Sequence, residues 1–135
     1  MEAKIIVNAE NAAVGRVASF VAGKLLKSKD EIAVVNSEKA IVTGNKASIM
    51  QDHLHKRTLL GGIQRGPHIS RVPYMMLKRS IRGMLPRKKG RGQEALKRVK
   101  CYNGIPKEFE GKKMITFEDK TDLKHLPLGK VYQSW

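Results

Sequence analysis

Aromatic residues are scarce in this sequence. Phe, Trp and Tyr make up 5% of its 135 residues, and none of the strand-like runs carries regularly spaced rings. Proteins that bind single-stranded nucleic acid without sequence preference need such rings, because successive bases stack on them. The composition therefore argues against a stacking platform. The sequence also contains no zinc-finger, basic-zipper or recognition-helix pattern of the kind that reads a DNA groove.

Cysteine and long apolar runs are nearly absent as well. Cys101 is the single cysteine, so the sequence has no disulfide framework and no Cys-x-x-Cys metal pair, and we expect this residue to be buried. No apolar run approaches the roughly 20 residues that a membrane span requires. Lys4 is followed by only three apolar residues, Ile5–Val7, which is too few for a signal peptide. These absences predict a cytoplasmic protein.

Acidic residues are few and unevenly placed. The chain has 27 Lys and Arg residues against 12 Asp and Glu, a net charge of +15. Met1–Met50 has a net charge of only +2, whereas Gln51–Lys113 holds 17 basic and 4 acidic residues, a net charge of +13. Self-repulsion of this size favours an acidic partner. A basic face kept only for solubility is the alternative, and it fits a segment this one-sided and rich in Arg and Gly less well.

The first third of the chain predicts a strand, a helix and a strand. Lys4–Asn8 and Glu31–Asn36 are short runs rich in β-branched residues, and Ala40–Gly44 is a third. Asn11 is a candidate cap for the helix. Between the first two runs, apolar residues recur three and four apart and form one helical stripe: Val14, Val17, Ala18, Val21, Ala22 and Leu25. A βαβ unit of these lengths predicts parallel strands.

The remaining sequence predicts three more helices. One covers Asn45–Leu60 and ends at Gly61–Gly62. After a loop, a second begins at Pro73, places Leu77, Ile81 and Met84 inward, and ends before Pro86. A short third helix fits Gln93–Lys100, with Leu96 and Val99 inward and Lys97, Arg98 and Lys100 outward.

Motifs for small ligands are missing. Gly15 stands alone where a dinucleotide fingerprint needs three glycines, and no GxxxxGK[ST] run is present. His53 and His55 are two residues apart and cannot share a helix face, so we expect no metal site. An enzyme is the competing function class, and its candidate acids lie among Lys and Arg without a His or Cys partner: Asp52, Glu94, Glu108 and Glu118. We therefore predict no catalysis and no cofactor.

The densest basic stretch is "RGMLPRKKGRGQEALKRVK", Arg82–Lys100. Eight of its nineteen residues are Lys or Arg, and Glu94 is its single acid. It predicts two helices joined by "PRKKGRG", a joint that Pro86 stiffens. Gly90 and Gly92 lack side chains, so we expect their backbone N–H groups to approach phosphates closely. A rigid, irregular loop of this kind suits the phosphates of folded RNA, which lie at irregular angles.

Four stretches resemble the large-subunit ribosomal protein L13 family in its archaeal and eukaryotic branch. They are "VNAENAAVGRVASFVAGKLL", "VVNSEKAIVTGNK", "RGPHISRVPY" and "RSIRGMLPRKKGRGQEALKRVKCYNGIP", and the match runs from about Lys4 to Phe109. The resemblance implies a three-layer α/β/α domain with a mainly parallel sheet of about four strands, bound to ribosomal RNA without catalysis. It also implies that Arg82–Arg91 faces RNA. The sequence ends at Trp135 without the long extension of eukaryotic members, which favours an archaeal source.

These observations predict one RNA-binding domain, 1–135, with a basic extended region at about 61–113. The expected partners are large-subunit ribosomal RNA and neighbouring ribosomal proteins in the cytoplasmic ribosome, with no membrane and no small-molecule substrate. A regulator that binds messenger RNA away from the ribosome could use the same surface, and co-sedimentation with the large subunit would separate the two roles. The candidate RNA-binding residues are Lys46, Lys56, Arg57, Arg65, Arg71, Lys78, Arg79, Arg82, Arg87, Lys88, Lys89, Arg91, Lys97, Arg98 and Lys100.

Overall fold

A computed structural model describes residues 5–58, 72–117 and 124–131. Short 3-10 turns at Ser37–Lys39, Lys107–Phe109 and Leu128–Lys130 connect its regular elements. In chain order the helices and strands are β1 (Ile5–Asn8), α1 (Val14–Lys27), β2 (Ile32–Val35), β3 (Ile41–Thr43), α2 (Lys46–Thr58), α3 (Pro73–Met84), α4 (Gly90–Lys97), β4 (Val99–Cys101), β5 (Ile115–Thr116) and β6 (His125–Pro127).

Four strands form a parallel sheet in the order β4-β2-β1-β5. In its register Ile32 lies opposite both Ile5 and Val99. This arrangement confirms the predicted α/β class and the mainly parallel sheet. The third predicted strand also exists, but β3 pairs antiparallel with β6 in a separate two-stranded sheet.

The apolar stripe of α1 packs on one face of the main sheet. Its residues Val17, Ala18, Val21, Ala22 and Leu25 are buried, as predicted. They share a core with α3 and with the sheet residues that point to this face, Val7, Ile32, Val34 and Val99. Burying each Val or Leu side chain fully contributes about 1.5–3 kcal/mol, so this face supplies most of the hydrophobic stabilisation.

The opposite face of the sheet is covered by the chain that follows β4. Ile6, Ala33 and Val35 point to this face and pack against Phe109, which is 1% exposed. The ring of Phe109 lies 5.7 Å from that of Tyr102, centroid to centroid. Because side chains alternate along a strand, burial of both faces requires the continuous apolar run seen in β2.

Helix boundaries differ from the prediction in three places. Asn11 does not cap α1: it has φ +56°, and the N-cap position is Ala13, which has no side-chain hydrogen bond. Helix α4 begins at Gly90 instead of Gln93 and ends at Lys97, and Val99 belongs to β4. Val99 is in a strand because it pairs with Ile32, and such tertiary contacts override a short helical pattern in the sequence. Met84, predicted inward, is 45% exposed.

Helix α3 follows its sequence signals closely. Pro73 occupies the first turn, and Leu77 and Ile81 are buried. Leu85 leaves the helix with φ −99° and ψ 153°, because the ring of Pro86 disfavours the α conformation in the preceding residue. None of the described helices is long and apolar enough to span a bilayer.

Candidate nucleic-acid interface

The loop that joins α3 to α4 is held by its own backbone. Leu85 is buried and anchors the loop in the core. The Arg87 amide donates to the Leu85 carbonyl at 2.8 Å, and the Lys89 amide donates to the Pro86 carbonyl at 2.9 Å. The side chains of Arg87, Lys88 and Lys89 are exposed. The loop therefore presents cations from a backbone that does not depend on them.

Gly92 packs against this loop instead of opening it to a ligand. The residue is buried in the first turns of α4, and a Cβ atom there would overlap the carbonyl group of Pro86. The prediction that Gly92 lets a phosphate approach the backbone is wrong, because the backbone of Pro86 already occupies that space. Gly90 is exposed, and a Cβ atom there would meet nothing within 4 Å.

Three cations of the segment line one groove, which we call the loop groove. Arg82 comes from the end of α3, and Arg87 and Lys88 come from the loop. Leu85 and Leu96 contribute apolar surface, and the cavity measures about 510 Å³. Cations around an apolar floor can bind phosphates at the rim and a ribose or base edge beneath them.

The other candidate residues are spread over several surfaces. Arg91, Lys97 and Arg98 line a second groove beside the end of α1. Lys100 belongs to β4 opposite Ala33, so it lies on the Phe109 face of the sheet, away from both grooves. Most candidates are exposed, and Lys78 is half-buried: the exposed ones are Lys46, Arg79, Arg82, Arg87, Lys88, Lys89, Arg91, Lys97 and Lys100. The side chains of Lys56, Arg57, Arg65 and Arg71 lie outside the described residues.

Arg98 does not point outward as predicted. Its guanidinium group donates to the carbonyl oxygen of Leu25 at 2.9 Å and to that of Ser28. These carbonyls lie at the C-terminal end of α1, where the last turn of a helix leaves oxygens without intrahelical partners. Arg98 is half-buried and serves as a cap that ties α4 to α1.

Replacing Arg98 by Gln should destabilise the fold. The change removes charge-assisted hydrogen bonds to two carbonyl groups, which costs about 2 kcal/mol in the free energy of unfolding. The matched control is Lys97→Gln, which removes the same charge from an exposed neighbour and should change stability by less than about 0.5 kcal/mol. Urea unfolding measures both, and equal losses would contradict the capping role.

Two cations that were not among the residues predicted from sequence also line the second groove. Lys27 and Lys29, at and just beyond the end of α1, line the second groove with Arg91 and Lys97. They were missed because the first 50 residues are almost neutral, and charge counts along the chain do not register contacts between distant segments.

Ligand sites of other kinds find no support in the described part of the chain. Burial raises the pKa of Cys101 to about 12, and nearby Lys78 opposes this only in part. The thiol is therefore protonated at neutral pH and is a poor nucleophile. Residues 5–58, 72–117 and 124–131 contain no group of three His, Cys, Asp or Glu side chains that could hold a metal ion.

The carboxyl ends of β1 and β2, where ligands often bind in parallel α/β sheets, are joined by the protein's own hydrogen bonds. The side-chain amide nitrogen of Asn36 donates to the side-chain oxygen of Asn8 at 3.0 Å. The backbone N–H of Gly104 donates to the Glu38 carboxylate at 2.9 Å. These polar groups therefore hold β1, β2 and the loop after β4 together.

Comparison with known proteins places these features in one family. Residues 2–108 match the family model described as ribosomal protein L13. Three curated relatives, each named large ribosomal subunit protein uL13, come from archaea. The Methanosarcina barkeri protein is 38% identical over 133 residues, which cover 95% of this chain and 94% of the relative. The Saccharolobus solfataricus protein is 42% identical over 128 residues (93% and 84%), and the Methanococcus maripaludis protein is 51% identical over 105 residues (76% of each).

Proteins of this family are structural and not enzymatic, in agreement with the prediction of no catalysis for this chain. The match covers most of the chain, from β1 into the 3-10 turn at Lys107–Phe109, and includes the loop between α3 and α4. The protein therefore belongs to the ribosomal protein L13 family.

Proposed function

We propose that this protein is a structural constituent of the large ribosomal subunit in the cytoplasm. It binds folded large-subunit ribosomal RNA and stabilises it during subunit assembly. The names of the relatives support a place in the large subunit. Its partners are then that RNA and neighbouring ribosomal proteins.

The loop groove is the observation that carries the RNA-binding part of the proposal. Arg82, Arg87 and Lys88 surround it, and among the residues that the structure describes no acidic side chain lines it. Arg82 belongs to α3 whereas Arg87 and Lys88 belong to the loop, so the three cations do not follow one regular helical spacing. Phosphates of a folded RNA also lie at irregular angles, and RNA of this kind is recognised largely through shape and backbone.

Backbone recognition predicts a steep dependence of RNA affinity on salt. If about eight cations contact phosphates, the logarithm of the association constant should fall against the logarithm of salt concentration with a slope of roughly −6 to −7. Filter binding to a transcript of archaeal large-subunit ribosomal RNA at several salt concentrations measures this slope. A slope shallower than about −2 would contradict binding through phosphates.

Assembly needs a separate measurement. A tagged form of the protein, expressed in an archaeal host, should sediment with the large subunit at physiological salt. Recovery only in free messenger-RNA complexes would favour the regulatory alternative instead. If RNA affinity depends steeply on salt but the protein does not sediment with the large subunit, the RNA-binding proposal stands and the ribosomal assignment is overturned.

A further inference from the structure

The second groove lies between the C-terminal end of α1 and helix α4, and we call it the helix-end groove. Its cavity measures about 570 Å³. Four exposed cations line it, Lys27, Lys29, Arg91 and Lys97, together with Glu94. Leu26, which is 36% exposed, supplies apolar surface beside the buried Leu25. The groove therefore combines a strong positive charge with a floor that a sugar can contact.

A helix C-terminus normally repels anions, because its carbonyl groups carry partial negative charge. Here three of the carbonyls at or just beyond the helix end have donors. The backbone N–H and the hydroxyl of Ser28 both donate to the carbonyl oxygen of Lys24 at 3.0 Å, and Arg98 donates to the carbonyls of Leu25 and Ser28. These donors and the charge of Arg98 offset part of the negative charge at the end of α1, so the surrounding cations dominate the potential of the groove.

The four cations have no carboxylate partner within the described ranges. None of Lys27, Lys29, Arg91 and Lys97 forms a salt bridge there, and Glu94 is the one acid in the lining of the groove. Like charges brought together in this way repel each other, and a bound anion relieves the repulsion. Two of the four lie at or just beyond the end of α1 and two lie in α4, and the fold brings these segments together although they are far apart in sequence.

Helix α4 separates the two grooves. Gly92, Gln93 and Leu96 line the loop groove, whereas Arg91, Glu94 and Lys97 line the helix-end groove. Residues three and four apart share a face of a helix, so α4 presents one cationic groove on each side. A single folded RNA that contacts the loop groove can reach across this ridge, because a helix with its side chains is only about 10–12 Å wide.

We propose that the helix-end groove is a second binding site for the phosphate backbone of the same RNA, with Lys27 and Lys29 as contact residues. The inference rests on the proposed function. It adds the end of α1, which belongs to the nearly neutral part of the sequence, to the RNA-binding surface. Arg98 acts in this site as a positioning residue, because it shapes the groove and offsets part of the negative charge at the helix end.

The test is the double variant Lys27→Gln and Lys29→Gln. Both side chains are exposed, so circular dichroism and thermal melting should not change. The affinity for a transcript of archaeal large-subunit ribosomal RNA should fall about tenfold at fixed salt. The salt slope should become shallower by about 1.5, since each lost phosphate contact removes 0.7–0.9.

A matched control separates local contact from net charge. Lys107→Gln with Lys112→Gln removes the same charge from the exposed residues around Phe109, on the other face of the sheet, and should change affinity less than twofold. Equal losses in the two variants would mean a general charge effect and would overturn the inference.

The proposed function has its own failure pattern. If the double variant binds normally while substitution of Arg87, Lys88 and Lys89 abolishes binding, the helix-end groove is not a site and the proposed function stands. If neither set of substitutions weakens binding, both proposals fail.

Discussion

RNA affinity should fall about a thousandfold when the loop cations Arg87, Lys88 and Lys89 are removed together with Arg91 of α4, while the fold stays intact. The variant carries Arg87→Ser, Lys88→Ser, Lys89→Ser and Arg91→Ala. All four side chains are exposed, and the loop is held by Leu85 and by backbone hydrogen bonds that the substitutions do not touch. Each lost charge-assisted contact with a phosphate is worth about 1 kcal/mol, so four contacts amount to about 4 kcal/mol, or about a factor of a thousand in the dissociation constant.

Binding to ribosomal RNA and incorporation into large subunits should fall in step. Thermal melting should stay constant or rise slightly, because self-repulsion decreases. The matched control removes four exposed lysines elsewhere, by Gln substitution at Lys107, Lys112, Lys113 and Lys130, and should weaken binding far less.

Two results would contradict the assignment of the loop. Unfolding of the variant would mean that the segment is structural. Normal affinity in a folded variant would place the RNA elsewhere, for example on Lys56–Arg71, and would leave the loop as a solvated basic face.

The βαβ unit could be predicted from sequence because its signals are local. The stripe from Val17 to Leu25 follows the helical repeat and faces a sheet. In β2, four consecutive apolar residues are all buried, which is typical of a parallel strand covered on both faces. Pro73 and Pro86 likewise set the limits of α3 through their own backbone restrictions.

Contacts between segments far apart in sequence account for the predictions that were wrong or incomplete. Val99 has a helix-like pattern but pairs with Ile32, and Arg98 reaches Ser28, which is 70 residues away in sequence. Neither partner can be identified from the residues around them. The same limit hid Lys27 and Lys29, which charge counting assigned to an ordinary, nearly neutral segment and which the fold places beside α4.

The loop cations were predictable for the opposite reason. Arg87, Lys88 and Lys89 are adjacent in sequence, and Pro86 at their start prevents a helix from burying them. Their exposure follows from composition alone, because unpaired charges are almost never fully buried. Their identity as RNA contacts is a proposal that the substitutions above test.

Gly92→Ala should be the most damaging small substitution in the basic segment. A methyl group at this position would overlap the carbonyl oxygen and carbon of Pro86, and these are backbone atoms that cannot rotate away. Either α4 or the loop must shift, and the shift pulls on Leu85, Ala95 and the buried contacts behind them. Overpacking against backbone in a buried position should cost about 3 kcal/mol, which lowers the melting temperature of a domain of this size by about 10 °C.

Gly90→Ala is the control, since it makes the same chemical change two residues earlier in the same helix. A Cβ atom at Gly90 meets nothing within 4 Å, and alanine favours the helix by up to about 1 kcal/mol relative to glycine. This variant should therefore melt at or above the temperature of the unchanged protein. The loop groove contains both Gly92 and the cations next to Pro86. The folded fraction of Gly92→Ala should therefore also bind ribosomal RNA more weakly, whereas Gly90→Ala should bind it normally. Equal melting temperatures for the two variants would mean that the loop yields easily, and the close contact between Gly92 and Pro86 would then not be what holds the cations in place.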